Sequence, residues 1–259
     1  MHTFHSPYGV YPHTATEPFE LTPTTKKVRH FFYEHFIEKG RGPDIREVKE
    51  SLGLTQDEVW ESLVQLQQGT QLMFVPGTEN FAKMPPFSYM ASRHRAFVDD
   101  GREYWVGCAG ETPSTHMLFP GHEVTVKSTC PDCFEVVTTV WKDGELLSAD
   151  PEDAVVHIGK HPSEWGYNFV ETCDNINYFK NLDHVAAWEA QFPEKAGATL
   201  PVQKVFAWVE PEARQRFWNY DYGPGLVGPQ SVVGTTIELF RKAGFDVTAW
   251  ERDLAPASD

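Results

Sequence analysis

HEVTVKSTCPDCFEVVTTVWKDGEL, residues 122–146, is the stretch that decides the fold class. Apolar and polar residues alternate on both sides of Cys130-Pro131-Asp132-Cys133, which is the period of half-buried β-strands. The short break between them makes the two strands antiparallel neighbours. Working outward, RAFVDDGREYWVG (95–107) reads as a hairpin around Asp99-Asp100-Gly101. AVVHIG (154–159) and NFVETCDNINYF (168–179) read as further strands. Helical patterns follow in DHVAAWEAQF (183–192), in VQKVFAWVEPEARQRFWN (202–219), interrupted at Pro211, and in SVVGTTIELFRKAG (231–244). Strands in one block with helices beside them predict an α+β fold with a mixed or antiparallel β core.

Upstream the pattern is different. Residues 1–24 are rich in Pro, Thr and His, lack periodicity, and read as an N-terminal arm. From Thr25, the residues Val28, Phe31, Phe32, His35 and Phe36 share one helix face, and the helix stops at Gly40-Arg41-Gly42-Pro43. A short helix carries Ile45, Val48 and Leu52 to Gly53. Thr55 and Glu58 then form a capping box ahead of Val59, Leu63 and Leu66. LMFV (72–75) and FAKM (81–84) are short strands around the turn PGTEN. Three helices and a hairpin give a winged-helix-like outline over 25–86, with an α+β core and a C-terminal helical extension over 87–259.

Charge and composition exclude several functions. Lys plus Arg number 22 against 37 Asp plus Glu, a formal net charge of −15. Such a surface repels phosphate backbones and anionic lipid. The third helix, where a winged helix would read DNA, carries Asp57, Glu58 and Glu61 and no Lys or Arg. Nucleic acid and membrane are therefore not expected partners, and no apolar run is long enough to span a bilayer. The N-terminus lacks a basic segment followed by an apolar one, so a cytoplasmic location with reduced thiols is expected.

Four constellations could carry chemistry. GPGLVG (223–228) fits a dinucleotide fingerprint only in its letters; WNYDY before it and Pro229 after it make it a plain loop. Cys130 and Cys133 have C-x-x-C spacing, which suits half a zinc site, a redox pair or a hairpin cap. His157 and His161 are the histidines whose spacing could complete a zinc site there. His30, His35, His94 and His184 show no ligand spacing and receive no role. The fourth constellation is Cys108, which ends a strand three residues before Glu111 and an apolar MLFP segment, together with Cys173 in a separate segment.

These last residues resemble the organomercurial (alkylmercury) lyase family, as a divergent member. In that family a cysteine is followed three residues later by an aspartate and then by a Leu-Met-Phe-Pro segment; the similar stretch here is CAGETPSTHMLFP (108–120). CDNINYFKNLDHVAAWEAQF (173–192) resembles the region of the family's second catalytic cysteine. The family also carries a winged-helix-like N-terminal module and a structural cysteine where Cys130 stands. The resemblance runs over roughly residues 25–220.

The resemblance implies protonolysis of carbon–mercury bonds, with Cys108 as first nucleophile, Cys173 as second thiolate and Glu111 as proton shuttle. It implies no required cofactor, Hg(II) as bound product on Cys108 and Cys173, a small thiol as co-reductant, and a mercuric reductase as a partner downstream. Soft Hg(II) prefers thiolate to oxygen or nitrogen ligands. Two departures stand out: Glu111 replaces an aspartate, and four extra residues precede MLFP. If the insertion lies elsewhere, Thr115 holds the acid's place and the proton donor is missing. The alternative reading is a non-catalytic thiolate protein binding zinc, copper or mercury on the same fold, through Cys108 and Cys173 with Cys130 and Cys133.

Overall fold

Burial along the strands follows the alternation of the sequence: His94–Val98 and Val124–Thr129 each bury every second residue. In the computed structural model, residues 3–6, 9–12, 15, 17–75, 77–165, 169–228 and 233–252 are described. Within the N-terminal arm, strands β1 (Thr3–Ser6) and β2 (Gly9–Pro12) pair as an antiparallel hairpin, where the sequence shows no strand period. Three helices follow: α1 (Pro23–Lys39), α2 (Ile45–Leu52) and α3 (Gln56–Gln68). The Thr55–Glu58 capping box forms as expected.

The strands β3 (Met73–Phe74), β4 (Phe81–Met84), β5 (Phe87–Ser88), β6 (His94–Val98), β7 (Glu103–Val106), β8 (Val124–Thr129), β9 (Val136–Lys142) and β10 (Glu145–Asp150) make one antiparallel sheet. Its order is β10-β9-β8-β6-β7-β5-β4-β3. The hairpin after α3 is therefore the end of this sheet rather than a free-standing wing. Phe36 of α1 stacks on Phe87 of β5 with ring centroids 4.6 Å apart, so helices and sheet share one core. Arg29, wholly buried in α1, donates to the Tyr220 carbonyl (2.6 Å) and to Gln71 (3.0 Å), fastening the helix to a distant turn.

A second antiparallel sheet, in the order β12-β11-β13, comprises β11 (Val155–Ile158), β12 (Ile176–Phe179) and β13 (Ala198–Pro201). Here one expectation fails. NFVETCDNINYF is not a single strand: Phe169–Asp174 forms a short helix, α4, before β12. Asn175 donates its backbone N–H back to the Glu171 and Thr172 carbonyls, closing that turn. Its Nδ2 also donates to the Glu171 carbonyl, 2.8 Å away. Side-chain bonding of this kind lets Asn compete for nearby backbone groups and break a strand.

α5 (Leu182–Gln191) follows β12, and α6 (Val202–Arg216) follows β13. α6 runs through Pro211 without interruption, contrary to the sequence reading. Ala207, four residues before it, is exposed, so water can meet the carbonyl that the proline leaves unpaired. GPGLVG is a loop, and Val227 within it bridges Phe19. Last come α7 (Val233–Ala243) and α8 (Thr248–Arg252). Ser231 and Val232, expected to open the helix of α7, lie outside the described residues. No described helix is long and apolar enough to cross a membrane.

Leu200 in β13 faces Val156 in β11, and both are fully buried. Leu200→Ala should cost about 2–5 kcal/mol, the usual range for a core leucine truncation. The expected result is a lower urea midpoint with an unchanged denaturant slope.

Candidate active site

The site forms where the two sheets exchange a backbone hydrogen bond. β7 ends at Val106, and Gly107 is held by its N–H on the Pro86 carbonyl (2.8 Å). One residue beyond Cys108, the Ala109 N–H donates to the Ile176 carbonyl at the start of β12 (3.0 Å). Cys173 lies three residues before Ile176, on the last turn of α4. One backbone bond between the two sheets thus brings two cysteines, distant in sequence, to the same point. The Cys108 carbonyl accepts from the N–H groups of Glu111 (3.0 Å) and Thr112 (3.2 Å), a tight turn that folds Glu111 back over the thiol.

The Cys108 and Cys173 sulfurs and a Glu111 carboxylate oxygen all lie within 4.8 Å of one another. Both cysteines are free and buried, at 3 % and 6 % exposure. Their thiols hydrogen-bond to each other, and this bond, burial and the nearby Glu111 charge push the Cys108 pKa well above its ordinary value. Glu111 is half-buried as a residue, yet its Oε2 is buried without a hydrogen-bond partner. Desolvation raises its pKa, against the pull of Arg216, Lys83 and its hydrogen bond with Cys108. A carboxyl so placed holds a proton more readily than a surface glutamate.

Thr115 does not take the acid's place. It is buried in a 3-10 turn, Pro113–Leu118, where its hydroxyl donates to the Glu111 carbonyl (3.4 Å). Glu111 is the carboxylate beside the sulfurs.

Sequence reasoning missed two cations and a wall. Lys83 stands in β4, where it passes for an ordinary strand residue, but it is 2 % exposed. Its ammonium donates to Asp174 (2.7 Å) and to the Gly107 carbonyl (3.1 Å). Burial opposes its charge, but Cys173, Asp174 and Cys108 outweigh this and raise its pKa. Arg216 of α6, paired with Glu212, acts electrostatically on Glu111 from the other side. A cavity of about 220 Å³ opens onto both cysteines and Glu111. Met73, Pro85, Ile176, Trp208, Leu239 and Phe240 line much of it, so the C-terminal helix α7, which had no assigned role, closes one side. Neither cation nor wall has a spacing signal, because their partners come from other elements.

The other cysteine pair lies elsewhere. Cys130 and Cys133 sit in the β8–β9 turn, and neither expected histidine joins them. His157 pairs with Glu189 (2.9 Å), and the His161 ring packs edge-on against Trp250 at 5.8 Å. His157 sits in β11 of the second sheet, its ring against Phe179. His184, which received no role from the sequence, is the histidine placed beside Cys130 and Cys133.

Residues 87–210 match the family model described as alkylmercury lyase. Among solved structures, the chain is similar to one described as the mercury-bound form of MerB2. The two share 17 % identity with a TM-score of 0.59, over 75 % of this chain and 92 % of that one. No curated protein matches the sequence.

Two outcomes follow from the carboxyl. A group whose pKa is raised on folding adds stability below its unfolded pKa, and that stability is lost as pH rises through the folded value. The wild-type protein should therefore lose stability from the ordinary carboxylate range upward, and Glu111→Gln should remove that component of a urea-midpoint profile against pH. At Gly107 a Cβ would overlap Glu111 Oε2. Gly107→Ala should displace the carboxylate while leaving both thiols, seen as an altered pH dependence of Cys108 alkylation.

Proposed function

We propose that this chain, whose residues 87–210 match the alkylmercury lyase model, is a member of that family and cleaves carbon–mercury bonds by protonolysis at Cys108, Cys173 and Glu111. The observation that carries this reading is the convergence of two free sulfurs and one buried carboxylate within 4.8 Å. Mercury(II) is soft and takes thiolates first, so a pair of thiols beside a largely apolar cavity suits it. The fold is shared with a structure described as a mercury-bound form.

The chemistry follows from the residues. A Cys108 thiolate displaces the exchangeable ligand X of R–Hg–X, and its proton leaves with X. Cys173 then binds the same mercury, and its proton is taken by Glu111. Two thiolates raise electron density at the Hg-bound carbon, and Glu111 returns the proton to that carbon as the bond breaks. The sum is R–Hg–X plus two thiols giving R–H, HX and mercury held by Cys108 and Cys173. Placing the second thiol beforehand makes its attack intramolecular, an advantage of up to about 7–11 kcal/mol in favourable systems. The Lys83 ammonium favours the Cys108 thiolate, and the partnerless Glu111 oxygen is free to carry the proton.

Turnover needs exchange: two small thiols remove Hg(II) and restore both cysteine thiols. A reductase acting on the released Hg(II) would be the downstream partner. The cavity of about 220 Å³ exceeds the ~150 Å³ apolar hole that holds a benzene ring in an engineered protein. Phenylmercury is accordingly an expected substrate alongside methylmercury.

The test is hydrocarbon release from phenylmercury in excess small thiol. Cys173→Ser should abolish benzene formation. Glu111→Gln should retain mercury but lower the cleavage rate about 10²–10⁴-fold, the range for loss of a general acid. Stoichiometric mercury retention by the wild-type chain with no benzene released would replace this reading with the non-catalytic metal-binding one.

A further inference from the structure

We propose that Cys130, Cys133 and His184 form a second metal site, separate from the Cys108–Cys173 pair, that takes a zinc-class divalent cation. Two cysteine sulfurs and a ring nitrogen lie within 4.8 Å of one another, contributed by the β8–β9 turn and the first turn of α5. A tetrahedral zinc with Zn–S near ~2.3 Å and Zn–N near ~2.0–2.1 Å needs ligand atoms somewhat closer than that, a movement within side-chain reach. Two thiolates and one imidazole are a donor set that zinc favours.

The surroundings fit a ligand cluster better than a simple hairpin cap. Cys130 donates its N–H to the Glu135 carbonyl (2.9 Å), and its own carbonyl accepts from Phe134 (3.0 Å). Phe134 holds a left-handed φ of 62° while its side chain is 70 % exposed, a conformation that costs a non-glycine residue energy. The turn thereby directs the Glu135 N–H onto the Cys133 sulfur, the donation that a metal-bound thiolate accepts. Asp132 Oδ2 accepts from His184 Nδ1 at 2.6 Å. A carboxylate behind one ring nitrogen is the usual outer partner of a zinc-bound histidine, and it leaves Nε2 with the free lone pair. Asn181 caps α5 by accepting the His184 N–H (3.2 Å), which fixes where the ring emerges.

Cys130 is fully buried, whereas Cys133 and His184 are half-buried, so a fourth position faces the surface for water. The bound ion would tie the β8–β9 turn of the large sheet to α5 behind the small one. That seam lies at the far end of β12 from Cys173. A small cluster of Cys130, Val155, Phe179 and Val185 packs there, and Lys180 pairs with Glu135 across the same seam.

The test uses the full-length Cys108→Ser/Cys173→Ser chain, which keeps the proposed site and removes the other two thiols. Purified under reducing conditions, it should retain one zinc per chain. With Co(II) it should show a thiolate-to-cobalt charge-transfer band saturating at one equivalent, and zinc should raise its Tm. Adding Cys133→Ser or His184→Ala, both at half-buried positions, should abolish the band and the Tm shift. Asp132→Asn should weaken binding about 10–100-fold. Absence of the band and of retained zinc, a band unchanged by His184→Ala, or a Cys130–Cys133 disulfide in the reduced preparation would each overturn the proposal.

Discussion

The candidate site depends on the hydrogen bond from the Ala109 N–H to the Ile176 carbonyl. It joins the exit of one sheet to the entry of another, and it sets the register in which two buried sulfurs meet. Cys108, Glu111 and Cys173 can share a point only while that junction holds. The Thr112 hydroxyl, 2.9 Å from the Tyr178 hydroxyl of β12, braces the same seam from within the core.

Electrostatics then explains why such a cluster can persist in a mostly apolar interior. A buried carboxyl beside two thiols is unfavourable when charged, and burial shifts it toward its protonated form. Lys83 and Arg216 supply opposing charge from two sides, and each is itself anchored by an acid, Asp174 or Glu212. The carboxyl is thereby shifted toward its protonated form beside the two sulfurs, and one of its oxygens has no hydrogen-bond partner. Aromatic and aliphatic side chains of α6 and α7 line the cavity beside them.

Much of this was legible in the residues because the signals are local. Period-two alternation in HEVTVKST and FEVVTTVWK, the Asp99-Asp100-Gly101 turn and the Thr55–Glu58 cap each act within a few residues, and each forms. The C-x-x-E spacing at Cys108 is likewise one turn of chain. Failures occurred where a side chain or solvent overrides a local pattern, and where distant groups decide. The strand expected through Cys173 becomes a helix and a strand, with Asn175 closing the turn between them. Pro211 stays inside α6 because the carbonyl it orphans belongs to an exposed residue. His184 reaches the β8–β9 turn through an Asp132 partner 52 residues away, and Lys83 reaches both sulfurs from an ordinary-looking strand. No spacing rule anticipates either.

The location of Lys83 and Arg216 in the chain has a further consequence. The two sulfurs and the carboxylate of the candidate site sit within residues 87–210, but both compensating cations fall outside that range, as does the α7 wall. Swapping the flanking segments between relatives would therefore retune acidity and substrate admission without touching a sulfur. Chemistry and its tuning occupy separable stretches of polypeptide, so the two can diverge at different rates.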